Sequence, residues 1–66
     1  MSIVLYTTYC PKCKVLETKL NQKNIQFELN DNVRELIKKG YAQAPMLEVD
    51  GELMDFGEAV KWVDKQ

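Results

Sequence analysis

Hydrophobic residues recur along this chain with two different periods, and these periods predict its strands and helices. The run "SIVLY" at residues 2–6 is apolar without alternation, which is typical of a strand covered on both faces. Residues 11 to about 24 predict a helix that begins with a proline. Its apolar face carries three residues at helical spacing: Cys13, Leu16 and Leu20. The stretch "IQFEL" at residues 25–29 alternates with a period of two and predicts a second strand.

The next segment predicts a helix with its own start and stop signals. Asn32 is followed three residues later by Glu35, which is the spacing of a capping box. The apolar stripe of this helix is made of Val33, Leu36 and Ile37. Lys38 and Lys39 complement the helix dipole as a solvated end, and Gly40 is a suitable residue to close the helix.

Asp50-Gly51, between short apolar runs at residues 45–49 and 52–54, predicts a β-hairpin. A final helix has one apolar face, flanked by Trp62 and made of Phe56, Ala59, Val60 and Val63. The element order is therefore βαβ, then α, then ββα. The strands on either side of the first helix should be parallel, and the last two antiparallel. We expect one α/β domain over residues 1–66, with a four-stranded mixed sheet flanked by three helices.

Composition and charge narrow the class of protein. Of 66 residues, 45% are hydrophobic and 29% are charged, which is typical of a globular domain. The formal net charge is −1, and the scattered charges form no basic face for nucleic acid. No apolar run approaches the roughly 18 residues of a membrane span, and the first residues do not resemble a signal peptide. We therefore expect a cytoplasmic protein, in a compartment that keeps thiols reduced.

The candidate chemistry lies in two cysteines, Cys10 and Cys13, for which three interpretations are open. A structural zinc site needs four ligands, and this chain has no histidine. A structural disulfide across so short a loop would stabilise the fold less than a longer one, and it is unusual in the cytosol. A Cys-x-x-Cys where a strand meets a helix in a βαβ unit instead indicates a thioredoxin-like redox motif. The redox interpretation fits the position of the motif best.

The position of the motif predicts different roles for the two cysteines. Cys10 stands where the helix begins, so backbone N–H groups and the helix dipole favour its thiolate, and Lys12 and Lys14 add positive charge. Cys13 lies on the apolar helix face and should be more buried. We predict that Cys10 attacks a disulfide and that Cys13 then resolves the mixed disulfide, with no bound metal or organic cofactor.

Two stretches, "IVLYTTYCPKC" and "GYAQAPML", resemble glutaredoxins. The second is most similar to the small glutaredoxin-like hydrogen donors of ribonucleotide reductase. This resemblance covers essentially the whole chain and implies a minimal thioredoxin fold. It also implies that Pro45 is a cis-proline facing the cysteines, and that Ala44 holds a peptide-like substrate through its backbone. The candidate substrate-binding residues are Tyr9, Lys12, Gln43, Ala44 and Pro45.

Several residues depart from the glutathione-using members of that family. Thr7 stands where they carry a basic residue, and Gln43 where they carry threonine. The segment "DFGE" at residues 55–58 replaces a glycine pair, and it does not reproduce the Trp-Ser-Gly-Phe-like stretch of the hydrogen donors. Lys12 replaces the aromatic residue usual after the proline. The departures imply weak glutathione binding, so a flavoprotein thioredoxin reductase with NADPH is preferred to glutathione as the external reductant.

The sequence thus predicts a monomeric dithiol–disulfide oxidoreductase acting on protein or small-molecule disulfides, with ribonucleotide reductase the partner that the resemblance suggests. The alternative is a non-catalytic carrier of an iron–sulfur cluster or soft metal. Such carriers typically have one cysteine followed by glycine, whereas here Pro11 follows the first of two cysteines. Tyr9 either contacts a partner or packs on the sheet, and Lys12 either tunes the neighbouring thiol or is simply solvated. Tyr41 and Trp62 are expected at the edge of the core.

Overall fold

The computed structural model describes residues 2–40 and 43–66, and these ranges contain four strands and three helices in the predicted order. The strands are β1 (Ile3–Tyr6), β2 (Glu28–Asn30), β3 (Met46–Val49) and β4 (Glu52–Met54). The helices are α1 (Pro11–Gln22), α2 (Val33–Lys38) and α3 (Phe56–Asp64). Among the helices of these ranges, none is both long enough and apolar enough to cross a membrane. Tyr41, expected at the core edge, lies outside the described residues.

The strands form one mixed sheet in the order β2-β1-β3-β4. β1 pairs in parallel with β2 and antiparallel with β3, while β3 pairs antiparallel with β4. This confirms the predicted strand directions and the α/β class, a minimal thioredoxin fold. β1 is an inner strand of the sheet. The loop that follows Tyr6 therefore begins near the middle of the end of the sheet at which β1 finishes.

Alternating residues of the two inner strands supply a core on each face of the sheet. On one face, residues of β1 and β3 pack with residues of α1 and α3: Ile3, Leu5, Leu47, Val49, Leu16, Leu20, Ala59 and Val63. On the other face, Tyr6 and Met46 pack with Leu36 of α2. The first strand lacks alternation because both of its faces are covered. Trp62 is partly buried against the first core, as expected.

On its own face of the sheet, α2 is held by the buried side chain of Leu36 and by a polar cluster, while the side chain of Val33, also part of the predicted stripe, lies outside the described part of the structure. Leu36 is 3% exposed, whereas Ile37, which belonged to the predicted stripe, is 58% exposed. Just beyond the helix, Lys39 forms an ion pair with Glu48 at 3.3 Å and lies 5.7 Å from the centroid of the Tyr6 ring. Lys39 is exposed at the end of the helix, as expected, and in addition makes an ion pair and a cation–π contact that its position in the sequence did not indicate.

The second strand begins later than its alternation predicts. Val4, near the beginning of β1, pairs with Glu28. The residues before 28 therefore have almost no part of β1 beside them with which to pair. Ile25 and Phe27 still pack against the core without strand structure. Leu29 is 45% exposed, because β2 is an edge strand and α1 leaves part of it uncovered.

The first helix ends at Gln22, two residues before its predicted end. Asn24 adopts the left-handed region with φ 57 and donates its N–H to the Asn21 carbonyl at 3.1 Å. The N–H of Ile25 donates to the carbonyl of Leu20 at 3.0 Å. These two bonds form a Schellman motif, in which a hydrophobic residue just after the helix packs back on its last turn.

The capping box predicted for α2 does not form. Asn32 caps the helix by accepting a hydrogen bond from the Arg34 N–H at 3.1 Å. The carboxylate of Glu35 instead accepts from the side-chain amide of Asn30. The N–H of Asn32, which a capping box would join to Glu35, donates to the Asn30 side chain at 2.8 Å. The side chain of Asn30 therefore binds both groups that the capping box would have joined, the N–H of Asn32 and the carboxylate of Glu35.

The hairpin between β3 and β4 turns at the predicted pair. Asp50 and Gly51 have φ 49 and 89, and two positive values make this a type I′ turn. The strand before it begins at Met46 rather than at Pro45, because proline has no N–H for the strand ladder.

Candidate active site

The loop after β1 delivers Cys10 to the start of α1. Cys10 is the N-cap residue, with φ −73 and ψ 168, and Pro11 begins the helix. The backbone N–H of Cys13 donates to Sγ of Cys10 at 3.3 Å. An oxygen of Ser, Thr, Asp or Asn usually accepts this bond at a helix start. Here a sulfur accepts it, so the helix stabilises negative charge on that sulfur.

The two thiols differ in accessibility. Cys13 lies one turn into α1 and is 1% exposed, whereas Cys10 is half-buried. Both are free thiols in this structure. The burial order expected from the helical face is confirmed, and a molecule arriving from solvent reaches Cys10 first.

Several donors converge on the buried sulfur. The hydroxyl of Thr8 lies 3.9 Å from Sγ of Cys13. Burial raises the pKa of Cys13, but hydrogen bonds from Cys10, from the Thr7 side chain and from the Thr8 backbone outweigh burial and lower this pKa to about 7. Because the two sulfurs interact, the titration belongs to the pair. Sequence reasoning considered only a thiolate at Cys10, and the Thr7-Thr8 hydroxyls were the signal it missed.

The approach to Cys10 is a tight turn built around a buried hydroxyl. Thr7 is 3% exposed, and its backbone N–H donates to the carbonyl of Asn30 at 3.0 Å. Its hydroxyl oxygen accepts from the N–H of Tyr9 at 2.9 Å. Tyr9 has φ 59, a left-handed conformation that is uncommon for an aromatic residue. This turn carries the chain from the sheet to the helix start.

Tyr9 stands out from the surface beside Cys10. The residue is 56% exposed, and its hydroxyl donates to the carboxylate of Asp31 at 3.1 Å. That hydrogen bond and the negative charge of Asp31 raise the pKa of Tyr9, so the phenol keeps its proton at neutral pH. The interpretation in which Tyr9 packs on the sheet is wrong, and the residue is an exposed aromatic next to the reactive pair.

Lys12 leans towards the last helix. Its Nζ lies 5.6 Å from the centroid of the Phe56 ring, within the range of a cation–π interaction. Phe56 is the first residue of α3, so this contact joins the starts of two helices. Nothing in the sequence pointed to Phe56 as a neighbour of the cysteine motif, because the two segments meet only in the folded chain.

Pro45 lies at the same edge of the sheet as the loop that leads to the cysteines. Tyr6 pairs with Met46 in the antiparallel ladder, so continuing the register sets Pro45 beside Thr7. Pro45 is buried, and the Ala44–Pro45 peptide bond is cis, as predicted.

The two residues before this proline differ in what they contact. Ala44 is half-buried and lines a shallow depression together with Thr7 and Thr8, next to the cysteine loop. Gln43 is exposed, and its amide donates towards the sulfur of Met46 at 3.9 Å. The structure therefore brings Ala44 to the cysteine loop, while the hydrogen bond of Gln43 is directed into β3.

Residues 55–58 form the start of α3. Asp55 accepts from the N–H of Glu58 at 2.8 Å, and the Glu58 side chain accepts from the N–H of Asp55 at 3.4 Å. This reciprocal pair is a full capping box. The Asp-x-x-Glu spacing was readable in the sequence, and it explains why this segment is helical rather than a flexible glycine loop.

In the part of the chain that the structure describes, the two sulfurs form hydrogen bonds with hydroxyl groups and with backbone N–H groups. Within residues 2–40 and 43–66, no group of three or more His, Cys, Asp or Glu side chains is arranged to hold a metal ion. An accessible thiol with a second thiol one helical turn behind it is suited to exchange with a disulfide.

Comparisons of this chain with protein-family models, with curated proteins and with solved structures gave no match.

Proposed function

We propose that this chain is a glutaredoxin-like dithiol–disulfide oxidoreductase that reduces disulfides in proteins or small molecules. The observation that carries the proposal is the 3.3 Å hydrogen bond from the Cys13 N–H to the sulfur of Cys10. It stabilises charge on the accessible sulfur and holds the buried cysteine directly behind it. The pair therefore has the arrangement that a nucleophile and a resolving thiol require.

In the first step, the Cys10 thiolate attacks one sulfur of the substrate disulfide. A bond forms between Cys10 and that sulfur, the substrate S–S bond breaks, and the other substrate sulfur leaves as a thiolate that takes a proton from water. The half-buried position of Cys10 supports this role, since an attacking thiolate must reach a partner from the surface.

In the second step, the Cys13 thiolate attacks the sulfur of Cys10 in the mixed disulfide. The bond to the substrate breaks, the second substrate thiolate leaves, and the protein keeps a Cys10–Cys13 disulfide. Two electrons have passed to the substrate. The hydrogen bonds from the Thr7 side chain and from the Thr8 backbone support this role, because they lower the pKa of Cys13 and do not depend on a free thiol at Cys10.

An external reductant then returns two electrons to the protein. Thr7 is buried and hydrogen-bonded, and the carboxylates of residues 55–58 cap a helix, so neither site offers a cation to glutathione. This favours a flavoprotein thioredoxin reductase with NADPH as the reductant, with glutathione second. We place the protein as a monomer in a reducing compartment such as the cytoplasm, with ribonucleotide reductase as a candidate partner.

A coupled assay of NADPH oxidation tests the proposal, with insulin as the protein disulfide. One reaction contains thioredoxin reductase, and the other contains glutathione with its reductase. We expect faster turnover with thioredoxin reductase, and none in either reaction for Cys10→Ser. Thr18→Ala, at an exposed position of the same helix, is the matched control and should behave as the parent chain.

Lack of turnover with both reductants would contradict the proposed function, and robust turnover with glutathione alone would contradict the order of reductants. A visible absorption band in anaerobically purified protein would instead support the iron–sulfur carrier.

A further inference from the structure

Two exposed lysines, Lys12 and Lys14, lie in the first turn of α1 next to Cys10. Among the residues that the structure describes, neither takes part in an ion pair. The ion pairs that do form, Lys19–Asp64 and Lys39–Glu48, involve other lysines. The two charges beside the accessible thiol therefore have no carboxylate partner within those ranges.

The carboxylates of neighbouring elements already have partners. Asp31, on the far side of the loop, accepts the hydroxyl of Tyr9. Asp55 and Glu58 accept each other's backbone N–H groups at the start of α3. Lys12 is held over the ring of the intervening Phe56 at 5.6 Å instead of pairing with either of them.

We propose that Lys12 and Lys14 select, among protein disulfides, those that carry an acidic side chain adjacent to the cysteine that is attacked. This inference rests on the proposed function and adds the substrate class to it. The positive end of α1 acts in the same direction as the two lysines, because the N–H of Cys13 in its first turn points at the sulfur of Cys10, which the substrate approaches. An acidic side chain that approaches Cys10 leaves part of its solvent shell and is attracted by two lysine charges and by the positive end of the helix.

The expected size of the preference follows from charges in water. Two unit charges about 4 Å apart in bulk water attract each other enough to change a rate about fivefold. Two lysines at unequal distances from the acidic side chain should therefore raise the rate of reduction about five- to tenfold. At about 1 M salt the screening length falls to about 3 Å, so the preference should then largely disappear.

The test uses reduced protein and three disulfide-linked peptides, blocked at both ends, which differ only in having Asp, Asn or Lys beside the cysteine. Acid-quenched single-turnover reactions give the rate constant for reducing each peptide. Each value is divided by the rate constant of the same peptide with dithiothreitol, which removes the intrinsic effect of the neighbouring residue on the disulfide. The proteins compared are the parent chain, a Lys12→Gln, Lys14→Gln double variant, and Lys23→Gln, which changes a lysine beyond the other end of α1.

We expect the parent chain and Lys23→Gln to reduce the Asp peptide about five- to tenfold faster than the Asn peptide, with the Lys peptide slowest. The double variant should treat the Asp and Asn peptides alike. Equal normalised rates for all three peptides in the parent chain, or an Asp preference that survives in the double variant, would overturn the inference and leave the proposed function standing. Failure to reduce any of the peptides would overturn both.

Discussion

The backbone N–H of Cys13 donates to the sulfur of Cys10 at 3.3 Å, so the buried cysteine holds the half-buried one through its own backbone. This N–H belongs to the first turn of a helix, where no carbonyl is available to accept it. The side chain of Cys13 points into the core, where it is 1% exposed. One residue thus stabilises the accessible sulfur with its backbone and holds a second sulfur behind it.

The two cysteines should respond differently to substitution. Cys10→Ser should abolish disulfide reduction, because it removes the accessible sulfur. Cys13→Ser should leave a mixed disulfide with a protein substrate, because the resolving thiol is missing. Mass spectrometry of the non-reduced products detects the trapped adduct. Faster alkylation of Cys13 than of Cys10 by iodoacetamide in the native protein at about pH 7 would reverse the assigned roles.

The stability of the reduced protein should rise with pH through the neutral range. The pKa of Cys13 is about 7 in the folded chain, and an unfolded cysteine titrates near 8.5. The folded state therefore loses this proton first, so the contribution is fully present above about 8.5 and is lost as the pH falls through about 7. At about 1.4 kcal/mol for each tenfold change in acidity, the contribution to the free energy of unfolding is at most about 2 kcal/mol.

Urea unfolding at about pH 6, 7.5 and 9, with a phosphine keeping the thiols reduced, measures this dependence. Cys13→Ala should show a flatter pH dependence than the parent chain. The same slope in both proteins would mean that another group is responsible.

Neighbouring positions on α1 should differ sharply in their effect on stability. Leu16 is fully buried in the core, and Leu16→Ala should cost about 2–5 kcal/mol in the free energy of unfolding. Val15 is 46% exposed, so Val15→Ala should change it by no more than about 0.5 kcal/mol. Far-ultraviolet circular dichroism in urea compares the two variants, and similar losses would show that the helix does not present the assigned face to the sheet.

The start of α3 should depend on the Asp55 side chain. Asp55→Ala removes the oxygen that accepts from the Glu58 N–H at 2.8 Å, and it should cost about 1 kcal/mol in the free energy of unfolding. Asp55→Asn keeps an oxygen at the same place and should retain most of that stability. Thermal or urea unfolding of the two variants is the measurement, and an equal loss in both would assign the effect to charge instead of to capping.

Features that depend on residues close together in the chain could be predicted from the sequence. The shared face of Cys13, Leu16 and Leu20 follows from helical spacing alone, and all three are buried. The turn at Asp50-Gly51 follows from the few residue types that accept two positive φ angles. The parallel pairing of β1 with β2 and the antiparallel pairing of β3 with β4 follow from the lengths of the connections, since a parallel pair needs a long crossover and a hairpin does not.

Features that depend on which segments meet in space were decided by the tertiary structure. Glu35 bonds to Asn30 instead of completing a capping box, because the end of β2 lies within its reach. Lys39 pairs with Glu48 of β3, on the face of the sheet that α2 covers, a partner that its position in the sequence did not indicate. Such partners differ by only about 1 kcal/mol when they are exposed, so local pattern cannot rank them.

The candidate site also combines features set by the local sequence with features set by the tertiary structure. The position of Cys10 at the start of α1 could be predicted, because Pro11 marks the first residue of a helix in the sequence itself. The turn at Tyr9, with φ 59, folds the chain back towards the helix. This turn brings Thr7 and Thr8 close to the sulfur of Cys13, and the sequence alone did not indicate it. The contact between Lys12 and Phe56 required α1 and α3 to start side by side, and that arrangement arises only when both helices pack on one face of the sheet.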